Sequence, residues 1–453
     1  MGPPKSPILV IGAGLVGPVW ASMLKELGIE VSVYEKRADP RKGFGERARS
    51  VNLVITSRGV HALQKIGLWK KISPFSTTVL GRMIHHREGP ASYTPYGRNE
   101  RECNYSISRS ELNRLLLDEA ESRGVELFFE HPLTRIDREE GKALFENGKS
   151  IPFTQLFGAD GGGSAVRASM ARGLSGVVEK SEIFHVGYKE MTMPPKANGE
   201  YAMEKKALHI WPREEEMLMG LPNPGGSFTM TLFAPKKRLA LLENEKAVED
   251  YFETHYPDAL PLMPHYRDEF LANPQGAFGT VRFSPWVYED RICLLGDAAH
   301  GIVPFFGQGL NAGLEDCSLL YDLWRELGDW KRVFVEFDRF QRPNGNAIAT
   351  MALENYVEMS SRTGDPRFLL RKEIERKVEA AFPTLYRSRY GMVTYTLIPY
   401  HLVYEAGKIQ DDILNELMEG VESAEDLDFN LARSLVEKKL APFLRRHLIC
   451  LDG

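Results

Sequence analysis

The stretch Ile8-Leu9-Val10-Ile11-Gly12-Ala13-Gly14-Leu15-Val16-Gly17 decides the fold, because it joins four apolar residues to a glycine-rich turn. An apolar segment of helical character follows to about residue 27, and a second strand, Glu30–Tyr34, ends at Glu35. In such a turn the first glycine permits the tight bend, the second lets a pyrophosphate approach the backbone, and the third lets helix and strand pack closely. We predict a doubly wound, Rossmann-like α/β domain that binds a dinucleotide through Gly12, Gly14, Leu15, Gly17 and Glu35. Glu35 is expected to accept hydrogen bonds from ribose hydroxyls.

The composition favours a globular protein that acts on small molecules. Of the 453 residues, 43% are hydrophobic and 26% charged, the net charge is −5, and no long basic or acidic tract suggests a nucleic-acid partner. The four cysteines are scattered without metal-type spacing, which favours a reducing compartment, so we expect a cytoplasmic protein without a bound metal. Uncharged runs of nearly membrane-spanning length are interrupted by glycine and proline, so no integral membrane anchor is expected.

The pattern along the chain predicts three structural units. Short strands at Leu208–Trp211, Met217–Leu221 and Phe228–Phe233 indicate a meandering sheet inserted into the dinucleotide domain. Helical periodicity follows at Asn311–Leu327, Asn344–Ser361, Phe368–Ala381 and Leu431–Leu440, and the apolar stretch Met392–Tyr404 is interpreted as buried. We therefore predict a discontinuous FAD-binding domain (1–73, 104–179 and 280–345), a substrate-binding sheet domain (74–103 and 180–279) and a helical C-terminal region (346–453) covering the active site.

Two later motifs favour FAD over NAD as the dinucleotide. Phe157–Arg167, which reads FGADGGGSAVR, follows one strand, and Leu294–His300, which reads LLGDAAH, follows another. Asp297 can hold a ribityl hydroxyl, and the helix opened by Gly307–Ala312 can direct its N-terminal amides at the flavin ring. The simpler interpretation of Asp297 is a helix cap. A second glycine motif, Gly43–Ala48, lacks a preceding strand and is interpreted as a loop.

Together these motifs are similar to those of the single-component, FAD-dependent aromatic hydroxylases, over nearly the whole chain. The resemblance implies that NADPH reduces the flavin without a second nucleotide-binding domain. It also implies that further residues line the FAD, namely Arg109, Asp160, Arg167, Asp297, Gly309, Leu310 and Asn311.

Within that family, several segments resemble the kynurenine 3-monooxygenases. They are Gly81–His85, Pro95–Gly97, His185–Glu190, Ala207–Pro212, Leu221–Asn223, Ser227–Thr229, Ala352–Met359 and Met392–Tyr395. The resemblance implies that the amino-acid end of L-kynurenine is held by Arg82, Tyr96, Asn355 and Tyr400, and arginine suits a carboxylate because its planar fork donates two parallel hydrogen bonds. The other implied pocket residues are Leu208, Met217, Met219, Leu221, Phe233, Pro304, Phe305, Phe306, Glu358 and Met359. Taken singly, each of these residues is more simply explained as a surface, turn or core residue.

The chemistry that the resemblance implies is hydroxylation of L-kynurenine to 3-hydroxykynurenine with NADPH, O2 and a flavin hydroperoxide. Because the ring's own amino group activates the ortho position, no catalytic base is required and no catalytic residue is assigned. Two alternatives remain open at this point. One is a hydroxylase of another aromatic acid or a modified kynurenine, and the other is a non-redox binding or escort protein that keeps the flavin fold.

Overall fold

A computed structural model describes residues 8–42, 52–359 and 365–451. The glycine motif Gly43–Ala48 and the end of the predicted helix Asn344–Ser361 lie outside the described residues.

The strands, numbered in chain order, are short except for those of the central sheet. They are β1 Ile8–Ile11, β2 Val31–Tyr34, β3 Leu53–Ile55, β4 Thr77–Val79, β5 Gly81–Ile84, β6 Ser92–Pro95, β7 Asn104–Ile107, β8 Glu126–Phe128, β9 Leu133–Asp137, β10 Lys142–Phe145, β11 Ser150–Pro152, β12 Leu156–Gly158, β13 Val178–Met193, β14 Ala207–Arg213, β15 Glu216–Pro222, β16 Phe228–Pro235, β17 Gly276–Ser284, β18 Val287–Tyr288 and β19 Ile292–Leu294.

The longer helices are concentrated after residue 308. The helices are α1 Val16–Glu26, α2 Ser57–Lys65, α3 Trp69–Ile72, α4 Arg109–Ser122, α5 Ala165–Ala171, α6 Lys236–Leu239, α7 Glu245–His255, α8 Tyr266–Ala272, α9 Asp297–His300, α10 Gly309–Leu327, α11 Trp330–Val357, α12 Pro366–Ala381, α13 Arg389–Tyr395, α14 Tyr400–Leu417, α15 Phe429–Leu435 and α16 Ala441–Arg446. Single turns of tighter or wider helix include Pro304–Phe306 and Val436–Leu440.

The first sheet is the predicted doubly wound sheet. Its order is β18-β19-β12-β1-β2-β8, and all neighbours are parallel except β18 and β19. The strands β1, β12 and β19 lie side by side, so the three motifs that follow them meet at one edge of the sheet. In a parallel α/β sheet, ligands bind at this carboxyl edge.

The second sheet is the predicted insert and has the order β17-β13-β16-β15-β14-β5-β6. Its neighbours are antiparallel except β14 and β5, which pair in parallel and bring Leu208 opposite Arg82. The meander β14-β15-β16 confirms the strands predicted from Leu208 to Phe233. The strands of this sheet come from 81–95, 178–235 and 276–284, and the predicted domain limits remain predictions.

Each face of the second sheet packs against a different layer, as the alternation along its strands requires. Met217, Leu221 and Phe233 join a hydrophobic cluster with the C-terminal helices, whereas Leu218 and Leu232 join another with α7 and α8. The first face therefore closes over the region between the sheet, the Pro304–Phe306 turn and helix α11.

The helical region differs from the prediction at the start of α11 and at Leu431–Leu440. Helix α11 does not start near Asn344 but runs from Trp330 through Pro343. The helix tolerates this proline because its missing N–H leaves only the carbonyl of Arg339 without a helical partner, and Arg339 is exposed. The apolar stretch Met392–Tyr404 is split between the end of α13 and the start of α14, and the segment predicted as one helix at Leu431–Leu440 is α15 followed by a π-helical turn.

Candidate flavin and substrate site

The glycine turn after β1 has the geometry that a pyrophosphate needs. Gly12 has φ +108°, and a Cβ built there would lie 2.4 Å from the carbonyl oxygen of Ala159. At Gly17 a Cβ would lie 2.0 Å from the carbonyl oxygen of Gly12, whereas at Gly14 it would meet no described atom within 4 Å. The first and third glycines are thus required by close packing, while the second faces open space, so the turn fits a phosphate group at Gly14.

Two side chains fix this turn in place. Glu35 accepts hydrogen bonds from the backbone N–H groups of Ala13 at 2.9 Å and Arg37 at 3.0 Å. Asn113 on α4 donates its amide to the carbonyl oxygens of Ala13 at 3.0 Å and Gly14 at 2.8 Å. The carboxylate predicted to bind a ribose therefore lies beside the turn. No pattern in the sequence pointed to Asn113.

Asp160 and Arg167 organise the loop after β12. The Asp160 carboxylate accepts hydrogen bonds from the Ser164 hydroxyl at 2.5 Å and the Ala165 N–H at 2.7 Å, which caps α5, and burial raises its pKa. Arg167 pairs with Glu179 at 2.9 Å and donates to the carbonyl oxygens of Ala298 and Gly162. Both side chains are committed to protein partners, so this loop would meet the cofactor mainly with its backbone.

Asp297 is a further carboxylate at this edge of the first sheet. It is exposed, and none of the described residues hydrogen-bonds its side chain. The protein atoms packed around its carboxylate reduce its hydration and raise its pKa, while His300 and Arg109 lower that pKa. The cap position of α9 belongs to Gly296, and Asp297 makes no capping hydrogen bond, so its carboxylate is available to a ribityl hydroxyl.

Helix α10 begins at the same edge. Gly307 has φ +65°, and a Cβ built at Gly309 would have only Ile302 within 4 Å among the described residues, at 3.7 Å. The side chain of Asn311 donates to the carbonyl oxygens of Val54 and Gly307, both at 2.9 Å, and accepts from Thr56 N–H at 2.8 Å. Asn311 therefore fixes β3 to the turn with its side chain, and only its backbone, like that of Leu310, can face a flavin.

The predicted apolar pocket residues lie in one hydrophobic cluster. The rings of Phe233 and Phe305 are 5.6 Å apart, and Phe305 is 4.5 Å from Tyr356, so the sheet, the Pro304–Phe306 turn and α11 meet here. The cluster contains Leu208, Met217, Met219, Leu221, Phe233, Phe305, Phe306 and Met359.

Arg82 and Tyr96 meet at one end of this cluster. The guanidinium carbon of Arg82 lies 5.6 Å from the centre of the Tyr96 ring. Its Nε atom is buried, and no described residue accepts a hydrogen bond from this side chain. A guanidinium without an acceptor among the described residues, beside an aromatic face, can form a site for an anion.

The tyrosine that completes this group is Tyr390, not Tyr400. Tyr390 stacks on Tyr96 at 5.2 Å and on Phe306 at 5.7 Å, and its hydroxyl accepts a hydrogen bond from Asn104 at 3.0 Å. Burial raises the pKa of both Tyr96 and Tyr390, so both phenols stay protonated at neutral pH. The structure places Tyr400 in other contacts, with its ring 3.8 Å from the Arg58 guanidinium carbon and its hydroxyl donating to Gln308 at 2.8 Å.

The residues predicted on α11 separate into two groups. Asn355 donates to the carbonyl oxygen of Phe305 at 2.7 Å and contacts the Met359 sulfur at 3.4 Å, which places it at the pocket. Glu358 instead forms an ion pair with Lys372 of α12 at 3.1 Å.

The available signal for Tyr390 was the helix cap Ser388, whose hydroxyl accepts the Gly391 N–H and places Tyr390 in the first turn of α13.

Neither a membrane helix nor a metal site is found in the part of the chain that the structure describes. No helix within 8–42, 52–359 and 365–451 is long and apolar enough to cross a membrane. Within the same residues, no group of three or more histidine, cysteine or carboxylate side chains is arranged to hold a metal ion.

Comparison with known proteins identifies relatives along the whole chain. The FAD binding domain family matches residues 5–326. The kynurenine 3-monooxygenase of Myxococcus xanthus is 40% identical over 98% of this chain and 97% of its own length. Those of Xanthomonas oryzae and Stenotrophomonas maltophilia are 38% and 37% identical, and the matches cover 98% and 95% of this chain and 100% and 96% of theirs.

Solved structures share the fold at lower identity. The tetrameric form of 2-methyl-3-hydroxypyridine-5-carboxylic acid oxygenase has a TM-score of 0.68 with 19% identity, covering 81% of this chain and 96% of its own. PqsL of Pseudomonas aeruginosa, solved in complex with 2-aminobenzoylacetate, has a TM-score of 0.64 with 16% identity, covering 79% and 97%. These likenesses establish the fold, and the predicted α/β architecture with an inserted sheet and helical C-terminal region is confirmed.

Proposed function

The chain belongs to the kynurenine 3-monooxygenase family, and from that premise we propose that it is an FAD-dependent monooxygenase converting L-kynurenine to 3-hydroxykynurenine with NADPH and O2. The observation that carries the substrate assignment is Arg82. An arginine with buried Nε and no described hydrogen-bond acceptor needs an anionic partner, since leaving such donors unpaired costs free energy. The carboxylate of an amino acid supplies that partner.

The residues at the sheet edge fit FAD. Gly14 leaves open space for the pyrophosphate, Glu35 lies beside it for a ribose, and Asp297 offers an uncommitted carboxylate for the ribityl chain. The N-terminus of α10 favours negative charge at the ring, because its first amides have no helical partner. When bound, the flavin supplies the electrons taken from NADPH and the activation of O2.

The pocket would orient the substrate by its two ends. Arg82, Tyr96 and Tyr390 would bind the carboxylate through the guanidinium and two protonated phenols. The side-chain oxygen of Asn355, whose amide nitrogen is taken by Phe305, would accept a hydrogen bond from the α-ammonium group. The aromatic ring would then lie in the apolar cluster near Phe305, where water is excluded.

No residue of the pocket is assigned as an acid or base. The amino group of the substrate's ring activates the neighbouring carbon, so the protein contributes orientation and exclusion of water. We further propose a cytoplasmic location, because the four cysteines are scattered along the sequence without the pattern of a disulfide framework, as in a reducing compartment.

The proposed function is tested by NADPH consumption with and without L-kynurenine. We expect slow consumption alone and a marked rise with substrate, because an empty pocket beside a reduced flavin would waste NADPH on peroxide. Equal rates in both conditions, with no hydroxylated product, would contradict the assignment and favour an oxidase-like role.

A further inference from the structure

A carboxylate on α10 lies behind the flavin edge and is not used by the function proposed above. Asp316 is fully buried. It accepts hydrogen bonds from the Gly296 N–H at 2.8 Å, His300 Nε2 at 2.7 Å and Gln341 Nε2 at 2.9 Å. Gly296 immediately precedes Asp297, and His300 ends the short helix that Asp297 begins. One buried side chain thus holds both ends of the turn 296–300.

This contact joins a buried carboxylate to a buried histidine. Since a carboxylate only accepts hydrogen bonds, His300 Nε2 must carry the proton between them. A buried carboxylate is costly without hydrogen-bond donors, and His300 is one of the three donors to Asp316 among the described residues. The Asp316 charge raises the pKa of His300 against the effect of burial. The imidazole ring of His300 also stacks on Trp286 at 4.8 Å, which fixes its plane.

The turn itself needs to be held. Gly296 has φ +56° with ψ −140°, far from the ordinary helical or extended conformations. It packs between two helices, because a Cβ built at Gly296 would lie 3.2 Å from Val16 of α1 and one built at Gly313 of α10 would lie 3.3 Å from the Gly296 Cα. A shift of α10 or a lost hydrogen bond would therefore move Asp297.

We propose that Asp316 is a positioning residue for the flavin, which fixes the turn 296–300 so that the Asp297 carboxylate reaches the ribityl chain. This inference rests on the proposed function only in taking FAD as the ligand. Asp316 touches neither cofactor nor substrate. It acts through Gly296 and His300, and its contribution to FAD binding passes through Asp297.

The test is the dissociation constant of FAD for the full chain, measured by equilibrium dialysis without L-kynurenine or NADPH. Asp316→Ala removes all three hydrogen bonds and is expected to weaken FAD binding about 10- to 100-fold, as loss of a charge-assisted hydrogen bond does. Asp316→Asn keeps an oxygen for Gly296 and should recover most of that loss, within about 3-fold of the parent. Asp316→Asn also keeps the inference testable if Asp316→Ala does not fold.

The thermodynamic cycle with Asp297→Ala separates positioning from general stability. In that background the flavin contact is already gone, so Asp316→Ala should change the FAD dissociation constant by less than about 3-fold. The matched control is Glu216→Gln on β15, a buried carboxylate that pairs with Arg238 and Tyr251 and lies away from the turn. It should lower thermal stability without altering FAD binding.

The outcomes distinguish the two proposals. If the unmodified protein binds no FAD, the proposed function fails. If it binds FAD but folded Asp316→Ala binds equally well, or loses the same factor with and without Asp297, Asp316 has no positioning role and only this inference is overturned. A Glu216→Gln variant that weakens FAD binding as much as Asp316→Ala would likewise overturn it.

Discussion

Replacing Arg82 with methionine is expected to weaken L-kynurenine binding while leaving the protein itself nearly intact. No described residue accepts a hydrogen bond from the Arg82 side chain, so the substitution breaks no such bond within the protein. The loss of stability is limited to the contact with the Tyr96 ring, about 0.5–1 kcal/mol at a partly exposed site. The loss of substrate binding is larger, because charge-assisted hydrogen bonds are worth roughly 1.5–3 kcal/mol, or about 10- to 150-fold in affinity.

The assay compares two ligands and two arginines. Substrate dissociation constants are measured by calorimetry on the flavin-loaded protein, together with flavin content and melting temperature. Decarboxylated kynurenine, which lacks the group that Arg82 is proposed to bind, should bind the parent poorly and lose little more in Arg82→Met. Arg87→Met, at an exposed arginine in the same segment, should leave both affinities unchanged.

Equal weakening of both ligands by Arg82→Met would refute this reasoning, because a packing defect rather than a lost carboxylate contact would then explain the result. An unchanged affinity for L-kynurenine would remove the residue that carries the substrate assignment.

Three further outcomes are expected. Gly14→Leu should fold, since a Cβ there meets no described atom, but should purify without flavin, and a fully yellow variant would show that the pyrophosphate lies elsewhere. The pKa of His85 is lowered to about 4, mainly by burial, so stability that depends on its neutral form is lost as pH falls from about 6.5 through 4. His85→Phe should flatten that part of a profile of melting temperature against pH, and an unchanged slope would assign it to other groups. Tyr390→Phe should raise the KM for L-kynurenine several-fold, because one lost hydrogen bond is worth about 1 kcal/mol. Tyr400→Phe should instead lower thermal stability and leave the KM unchanged, and the reverse pattern would show that Tyr400 binds the substrate.

The flavin edge could be predicted from the sequence because its geometry is local. The close packing at Gly12 and Gly17 and the open space at Gly14 follow from the spacing of these glycines within one turn. The location of Asp297 at the sheet edge follows from its position after a buried strand. Such features can be predicted once it is known that neighbouring parallel strands end at the same edge of the sheet.

The substrate end could be predicted only in part, because it depends on tertiary packing. Tyr390 and Tyr400 both lie in the first turn of a helix, and only the packing of those helices brings Tyr390 rather than Tyr400 onto Tyr96. Similarly, the spacing of Glu358 places it on the face of Asn355, but its ion pair with Lys372 draws it to α12. Long-range partners of this kind leave no periodic signal in the sequence.

The most direct test of the central claim is the identity of the product formed from L-kynurenine. The purified, FAD-loaded protein is incubated with NADPH, L-kynurenine and 18O2, and the product is analysed by mass spectrometry and proton NMR. We expect one atom of 18O incorporated at the ring carbon next to the amino group, giving 3-hydroxykynurenine. Unchanged L-kynurenine with consumption of NADPH, or oxygen at any other position, would contradict it.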